Sequence, residues 1–151
     1  MWFDIMIIWI ICLRLFNHID QCINGWSKFR NACYKYINEL KAWNDAERTC
    51  TEFGAHLTSL HSQEEADFTA SLPGSSTPQL AWIGGQRSGN VFKWIDGTTF
   101  DFTNWRAGEP NNSGGNENCI ETFISSDNKW NDLPCNTQLN FLCKKQLGGG
   151  M

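Results

Sequence analysis

Two stretches in the first half of the chain repeat their apolar residues at helical spacing. In AWNDAERTCTEFG the apolar side chains fall on one helical face, at Trp43, Ala46, Cys50 and Phe53. Gly54 then provides a natural stop for this helix. Further on, Ser62 followed by Glu65 forms a capping box that opens a second helix through QEEADFTASL, which ends at the breaker residues 73–78. The pattern therefore predicts two helices joined by a short strand-like link.

The remaining apolar runs are short and rich in β-branched and aromatic residues. Before the helices, GWSKFRNACYKYI predicts a hairpin that turns at the polar residues 30–32. After Pro78, the runs LAWIGG, FKWIDGTTF, CIETFI, KWNDLPC and NFLCKK each predict a short strand, and Asp96-Gly97 is a hairpin-turn signal. A polar segment rich in Gly, Asn and Ser runs between residues 84 and 129. This order of elements, without repeats, predicts an α+β fold.

The length of the chain, 151 residues, suits one domain with its own core. Residues 5–13 form an apolar run as long as a signal-peptide core, whereas a membrane-spanning helix needs roughly 20 such residues. We expect a signal peptide over residues 1–20, a folded domain over 21–146 and a flexible tail over 147–151, and hence a secreted protein. A buried helix or an incorrect start is the alternative for the N-terminal segment.

The cysteines and the charge narrow the class of protein. Seven cysteines are present, and removal of Cys12 with the signal peptide leaves six, an even number suited to an oxidising compartment. Disulfides are favoured over zinc because no CxxC pair occurs, although spacing alone does not choose among the many pairings. The eight tryptophans favour a dense core, with a carbohydrate-facing surface as the alternative. A net charge of -4 without a basic run argues against nucleic-acid binding.

Five oxygen-bearing side chains form a candidate metal site. They are Glu109, Asn111 and Glu117 in EPNNSGGNENC, and Asn131 and Asp132 in WND. Carboxylate and amide oxygens are the hard ligands that calcium prefers, and no sulfur or imidazole intrudes to favour zinc or copper. Magnesium is chemically possible, although it more often keeps water and phosphate ligands. The spacing is not that of an EF-hand, and acids and amides are also common in loops that bind nothing, so these residues alone indicate a candidate calcium loop and no more.

Six stretches, in this order and with these cysteines, resemble the C-type lectin domain family over nearly all of residues 22–145. They read CYKY, AWNDAERTCTEFGAHLTSLHSQEEADF, AWIGG, FKWIDGTTFDFTNWRAGEPNN, ENC and KWNDLPCNTQLNFLCKK. The resemblance implies a C-type lectin-like fold of the long form, with two helices, small antiparallel sheets and a long calcium-binding loop region. It also implies three disulfides, which pair Cys22 with Cys33, Cys50 with Cys143, and Cys119 with Cys135.

The family's sugar-binding calcium site corresponds to the same five residues, Glu109, Asn111, Glu117, Asn131 and Asp132. In the family these side chains contact both calcium and sugar, and the Glu109–Pro110 bond would be a cis peptide. The EPN order goes with mannose-type sugars (mannose, fucose and N-acetylglucosamine), whereas QPD goes with galactose. The resemblance thus implies a calcium-dependent, mannose-type lectin in innate immune or glycan recognition, with microbial glycans as candidate partners. Trp130 is expected in the core.

Two features depart from the family pattern. The loop GQRSGNVFK contains no acid, and Asn112 and Asn118 stand where the family often has acids for an auxiliary calcium, so we expect one calcium ion. The second departure is the glycosylation sequon at Asn111, Asn112 and Ser113. A glycan on Asn111 would remove a calcium ligand, so we expect the sequon to stay unmodified.

Two other functions are compatible with parts of this sequence. The fold could serve as a protein-binding or ice-binding module without sugar binding, but the intact set of five ligands favours the lectin. Glu109 and Glu117 could be the paired acids of a glycosidase, but acids committed to calcium cannot act as raised-pKa proton donors. No nucleophile–base pair is evident among His56, His61 and the serines, so we predict that the protein is not an enzyme. No collagen-like or coiled-coil segment is present to build an oligomer.

Overall fold

The strands and helices of the domain follow the order expected from the sequence. A computed structural model describes residues 5–9, 21–74, 78–124 and 127–148. The strands are β1 (Ser27–Phe29), β2 (Ala32–Lys41), β3 (His56–Leu57), β4 (Gln79–Ser88), β5 (Val91–Trp94), β6 (Cys119–Ile124), β7 (Trp130–Leu133) and β8 (Leu139–Gln146). The two helices of the domain are α1 (Trp43–Glu52) and α2 (Gln63–Ala70), and a 3-10 turn covers Ser113–Gly115. The α+β class and the two helices are confirmed.

The N-terminal segment is described only in part. Residues 5–9 are helical and exposed, and the rest of the expected signal peptide lies outside the described residues. In the part of the chain that the structure covers, no helix has the length and apolarity required to cross a bilayer. At the other end, Leu147 is buried and its amide donates to the Asn31 carbonyl at 2.9 Å, so ordered contacts continue one residue beyond the expected domain boundary.

The strands join one hydrogen-bonded network instead of separate small antiparallel sheets. The order is β1-β2-β8-β4-β6-β7, with β3 added to β8 and β5 added to β4. The pairing of β4 with β8 is parallel, whereas the other pairs are antiparallel. At the β4–β6 contact Gly85 is required, because an added Cβ would lie 2.2 Å from the Ile120 side chain. The parallel pair connects the half that contains β2 and β8 to the half that carries the polar loop.

The helices form for the reasons that their sequence indicated. Trp43, Ala46 and Cys50 are buried on one face of α1, and the Trp43 indole donates to the Ile83 carbonyl at 2.8 Å. Helix α2 begins at the capping residue Ser62, whose Oγ accepts the Glu65 N–H at 3.2 Å. Helix α1 therefore packs on the sheet through its apolar face, whereas α2 is capped by Ser62 and is joined to β8 by the Glu65–Lys144 ion pair.

Three disulfides close the fold with the pairing that the resemblance implied. Cys22–Cys33 ties the N-terminal segment to β2, Cys50–Cys143 ties α1 to β8, and Cys119–Cys135 ties β6 to the segment after β7. The Cys50–Cys143 bond spans 93 residues, so it restricts the unfolded chain the most.

The core beneath the polar loop is aromatic. Trp130 is fully buried and meets four rings edge-on at centroid distances of 5.5 to 6.2 Å, those of Trp94, Phe100, Phe102 and Trp105. Its expected core position is thus confirmed. Because these rings are closely packed, the loop lies on a rigid part of the core.

One turn prediction is wrong. The hairpin between β4 and β5 turns at Gly89–Asn90, and Asp96-Gly97 instead ends β5 without a following partner strand. Gly97 does take a positive φ of 78°, so the dipeptide forms a turn as its composition requires. The Asp96 side chain is used for other contacts, which are described below.

Candidate functional site

The loop that contains EPN is fixed beside the strand that contains WND. Trp105 forms a parallel bridge with Trp130, and the Arg106 amide donates to the Trp130 carbonyl at 2.8 Å. The Trp130 amide in turn donates to the Asn104 carbonyl at 2.9 Å. Segments that lie about 25 residues apart in the chain are thereby placed in contact.

Asp132 is the anchor of the loop. Its side chain is fully buried; Oδ1 accepts the Asn111 amide at 3.1 Å, and Oδ2 accepts the Asn112 amide at 3.0 Å. The Arg87 guanidinium donates to the same Oδ2 at 2.8 Å. One carboxylate therefore holds two consecutive loop amides and one arginine, and Oδ1 keeps an acceptor position free.

Glu109 and Asn111 lie side by side, as the EPN motif predicts. The peptide bond between Glu109 and Pro110 is cis, as expected from the resemblance. Asn111 Nδ2 donates to Glu109 Oε1 at 3.0 Å. Glu109 Oε2 is buried and has no hydrogen-bond partner among the described residues. An orphaned carboxylate oxygen of this kind is costly unless a cation or a donor meets it.

Glu117 joins the same network through the backbone. The Ser113 amide donates both to Glu117 Oε2 at 2.7 Å and to Asn111 Oδ1 at 2.8 Å, so these two oxygens are close neighbours. The Glu117 amide donates to Asn112 Oδ1 at 3.0 Å, and Asn112 takes a left-handed φ of 47°. The backbone amides of the loop therefore donate to side-chain oxygens of the loop itself.

Asn131 is the one predicted residue outside this hydrogen-bonded network. It lies on β7 opposite Glu121, whereas Asp132 lies opposite Ile120, so strand alternation points the two side chains to opposite faces. Asn131 makes no hydrogen bond to the other four residues, all of which are described. Within the described ranges, no group of three or more His, Cys, Asp and Glu side chains is gathered closely enough to hold a metal ion.

The donor set nevertheless fits calcium in its chemistry. The five side chains supply oxygen only, which suits a hard cation. Glu109 Oε2 lacks a partner among the described residues, and Glu117 uses one of its two oxygens for hydrogen bonds. In the site that the resemblance implies, three carboxylates and two amides would hold the ion; four of these residues are brought together by hydrogen bonds, and Asn131 is the one that is not.

A fourth acid, Glu121, lies behind the site and was not predicted. It is 1% exposed, and neither of its oxygens has a hydrogen-bond partner among the described residues. Burial raises the pKa of Glu121 to about 8, and the Arg106 guanidinium, 3.8 Å away, offsets only part of this. Its position opposite Asn131 makes it a neighbour of the predicted ligands. The alternation of CIETFI placed Glu121 on a strand, but the sequence carried no signal for its burial.

Arg87 is a second residue that sequence reasoning missed. The loop GQRSGNVFK was considered only for its lack of acids, yet Arg87 bonds to Asp132 and its Nε donates to the Glu117 carbonyl at 3.3 Å. The signal available in the sequence was Arg87 itself, a basic residue in a loop that contains no acid.

A Ser–His–Asp arrangement occurs away from this site, contrary to the expectation that no nucleophile–base pair exists. His61 Nε2 lies 3.2 Å from Ser59 Oγ, and His61 Nδ1 lies 2.7 Å from Asp101 Oδ1. The hydrogen bond from His61 lowers the pKa of the Asp101 carboxyl. Ser59 is fully buried, however, and its hydroxyl donates to Asp96. Because the serine proton is already directed at a carboxylate and no substrate can reach the oxygen, the arrangement is structural.

Comparison with known proteins identifies relatives along most of the chain. A family model described as the lectin C-type domain matches residues 39–145. A lectin from Pleurodeles waltl is 38% identical over 131 residues, which cover 83% of this chain and 76% of that protein. The C-type lectin lectoxin-Lio1 from Erythrolamprus poecilogyrus is 41% identical over 135 residues, covering 85% of this chain and 83% of that protein.

Solved structures of C-type lectin domains and of a type II antifreeze protein also align with most of this chain. The C-type lectin CEL-I from Cucumaria echinata aligns with a TM-score of 0.79 at 26% identity, over 85% of this chain and 99% of that one. The cow CD23 carbohydrate-recognition domain, crystallised in the presence of a GlcNAc2Man3 oligosaccharide, aligns at 0.77 and 31% identity over 86% and 99%. A calcium-independent type II antifreeze protein aligns at 0.75 and 29% identity over 83% and 95%. The chain belongs to the C-type lectin domain family.

Proposed function

We propose that this chain is a secreted, calcium-dependent lectin that binds mannose-type sugars through Glu109, Asn111, Glu117, Asn131 and Asp132. The observation that carries the proposal is the adjacency of Glu109 and Asn111 beside Asp132, with Glu109 Oε2 buried and unpartnered among the described residues. Family membership supplies the context, and the oxygen-only donor set supplies the metal. No catalytic role is proposed.

The side chains provide the hydrogen-bond partners that a pair of neighbouring sugar hydroxyls requires. Calcium, when bound, would accept one lone pair from each hydroxyl. The Glu109 and Glu117 carboxylates accept hydrogen bonds from the hydroxyls, and the Asn111 and Asn131 amides donate to the hydroxyl oxygens. Hydrogen bonds to carboxylates are stronger than those between neutral groups, so the acids set the strength of the contact.

The order of acid and amide sets the sugar preference. Glu109 accepts and Asn111 donates at fixed positions on either side of Pro110, and the resemblance associates this order with mannose, fucose and N-acetylglucosamine. The pair is held in register because Asn111 Nδ2 bonds to Glu109 Oε1 at 3.0 Å. Exchanging the acid and the amide would exchange donor and acceptor positions toward the sugar.

The exposed position of the loop limits the affinity for one sugar. Asn111 is exposed and Glu109 is half-buried, so a monosaccharide would bury little surface. A single shallow site of this kind binds at about millimolar Kd, near -4 kcal/mol. Clustered ligands or clustered domains would raise the apparent affinity.

Retention on sugar columns tests this proposal. We expect the mature protein to bind mannose-agarose in calcium, to elute in EDTA, and to pass through galactose-agarose. The double variant Glu109→Gln/Asn111→Asp should shift retention toward galactose, though incompletely. Retention that survives EDTA would refute the calcium mechanism, and a galactose preference of the unmodified protein would refute the role assigned to EPN.

Ice binding is the second candidate function, because type II antifreeze structures align over most of the chain. A measurement of thermal hysteresis on the same protein, with and without calcium, distinguishes the two functions. Hysteresis without sugar retention would favour the antifreeze function. Retention without hysteresis would favour the lectin.

A further inference from the structure

Arg87 connects three segments that together make up the candidate site. It lies at the end of β4, and its side chain is 19% exposed. Its guanidinium donates to Asp132 on β7 at 2.8 Å, and its Nε donates to the Glu117 carbonyl in the loop at 3.3 Å. The Arg87 amide also donates to the Asn118 carbonyl at 2.8 Å. The cation packs over the Phe92 ring at 4.4 Å, which fixes its direction.

The arginine and the loop share one carboxylate. Asp132 is fully buried, and a buried carboxylate is stable only when paired and hydrogen-bonded. Arg87 provides the positive charge, while the amides of Asn111 and Asn112 provide the remaining donors. A guanidinium suits this position because its planar fork reaches two acceptors from one side chain. The loop is thus attached to a charge-neutralised anchor without any metal.

We propose that Arg87 is a built-in cation that keeps the loop of residues 109–118 in its binding shape when calcium is absent. Arg87 is a positioning residue, since it acts through Asp132 and the Glu117 backbone. The statement that this shape serves calcium and sugar rests on the proposed function, but the ordering of the loop by Arg87 does not. The neutral residues Asn112 and Asn118 are consistent with this role, because an arginine already supplies the positive charge there.

Amide hydrogen exchange measured by NMR, in EDTA and then in calcium, tests the proposal. The reporters are the amides of Asn111 and Asn112. In EDTA we expect these amides to exchange about tenfold or more faster in Arg87→Gln than in the unmodified protein, because a charge-assisted hydrogen bond is lost. Calcium should slow exchange far more in the variant than in the unmodified protein, because the ion must then supply the order that Arg87 supplied.

Two further variants keep the test decisive. Arg48→Gln removes an exposed arginine on α1 and should leave the reporters unchanged. Arg87→Lys keeps the charge but cannot reach both acceptors at once, so it should give intermediate exchange. If Arg87→Gln does not fold, as judged by the amides that pair β2 with β8, the comparison is made with Arg87→Lys.

The outcomes separate this proposal from the proposed function. Equal exchange of the reporters in the Arg87 variants and the unmodified protein in EDTA would overturn the role of Arg87, whether or not calcium binds. Faster exchange in the variants without any response to calcium would support Arg87 and contradict the calcium site. Faster exchange that calcium reverses would support both.

Discussion

Two groups of buried or half-buried acids in this domain, apart from Glu121, obtain their positive charge in different ways. In the internal ion cluster, formed by Tyr34, Ser59, Glu65, Asp96 and Lys144, Lys144 Nζ donates to Glu65 Oε1 at 2.6 Å. In the EPN–WND loop, formed by residues 109–118 and 131–132, no lysine within the described part of the chain pairs with an acid. Arg87 neutralises Asp132, while Glu109 keeps a buried oxygen without a partner among the described residues.

The difference separates acids that are satisfied within the chain from acids that keep acceptor capacity. Glu65 accepts from Lys144, from the Tyr34 hydroxyl and from the His61 amide, so its capacity is used within the chain. The loop acids accept mostly from neutral backbone amides, which orient the oxygens without cancelling their charge. Ordered carboxylates with too few internal cations are what the proposed calcium site requires.

The largest expected effect follows from a substitution that breaks the internal ion cluster. Lys144 is 6% exposed, so Lys144→Met leaves the Glu65 carboxylate buried without its counter-ion. We expect the free energy of unfolding to fall by about 3–5 kcal/mol, equally in EDTA and in calcium, because the cluster does not touch the loop. Urea unfolding in both conditions measures this.

The matched control is the neighbouring lysine on the same strand. Among the described residues, the Lys145 side chain donates only to the Phe53 carbonyl, at 3.4 Å, so Lys145→Met should cost less than about 1 kcal/mol. Adding Glu65→Gln to Lys144→Met should restore part of the stability, because the uncompensated charge is removed. Equal costs for the two lysine variants would contradict the importance of the pair.

The second effect concerns the loop and depends on calcium. Extracellular calcium sites have Kd values of about 10⁻⁴ to 10⁻³ M, so 10 mM calcium should stabilise the unmodified protein by about 1.4–2.7 kcal/mol. Glu117→Gln should abolish most of this gain and change stability in EDTA little, since its amide oxygen can still accept the Ser113 amide. Thermal unfolding with and without calcium measures both values.

Glu52→Gln serves as the control for the loss of one negative charge, because Glu52 is exposed at the end of α1. It should keep the full calcium gain. If Glu117→Gln kept the same gain as Glu52→Gln, Glu117 would not be a calcium ligand.

These contrasts explain which parts of the fold the sequence could predict. Helix α1, the Ser62–Glu65 cap and most strands follow from local spacing, because the apolar face or the capping oxygen lies within a few residues. The parallel β4–β8 pairing was not predictable from local pattern, since it joins residues about 60 apart. The turn at Asp96-Gly97 was interpreted as a hairpin because its composition suits one, whereas Asp96 serves Ser59 and Thr98.

The candidate site likewise contains residues that the sequence predicts and residues that it does not. Its five residues were predicted as a set, with the disulfides, from motifs that resemble the family. Arg87 and Glu121 were not predicted, because their roles depend on long-range contacts: Arg87 meets Asp132 across 45 residues. The Lys144–Glu65 pair, 79 residues apart, was missed for the same reason. Ion pairs between residues far apart in the chain produce no periodic pattern in the sequence, so local spacing could not predict them.

The third effect is acid sensitivity of the internal ion cluster. Burial raises the pKa of the Asp96 carboxyl, but hydrogen bonds from Ser59 and Thr98 outweigh it, and the pKa lies below its usual value of 3.8. The ionised carboxylate therefore stabilises the fold above about pH 3.8, and this contribution is lost as the pH falls further, through the lowered pKa. Asp96→Asn should cost about 1 kcal/mol at pH 7.

Urea unfolding at pH 7, 5 and 3 checks the sign. The difference between the unmodified protein and Asp96→Asn should be constant from pH 7 to pH 5 and should shrink at pH 3, where Asp96 begins to take up a proton. Protonation of the loop acids affects both proteins and cancels in the difference. A difference that grew on acidification would show that the pKa of Asp96 is raised.

The smallest expected effect concerns the sequon in the loop. Asn111 Nδ2, the atom to which a glycan would attach, donates to Glu109 Oε1 at 3.0 Å, and Asn111 Oδ1 accepts the Ser113 amide at 2.8 Å. Ser113→Ala destroys the sequon but keeps the backbone amide that bonds to Asn111 and Glu117. In protein made without glycosylation, we therefore expect sugar retention and calcium affinity to stay within about twofold of the unmodified values, the level of a surface substitution.

The decisive comparison uses protein from a glycosylating secretory host. If the sequon stays unmodified, Ser113→Ala and the unmodified protein should have the same mass apart from the substitution and should be retained equally on mannose-agarose. Full glycan occupancy of Asn111 in the unmodified protein would instead remove a proposed calcium ligand and block the sugar, and it would refute the lectin function.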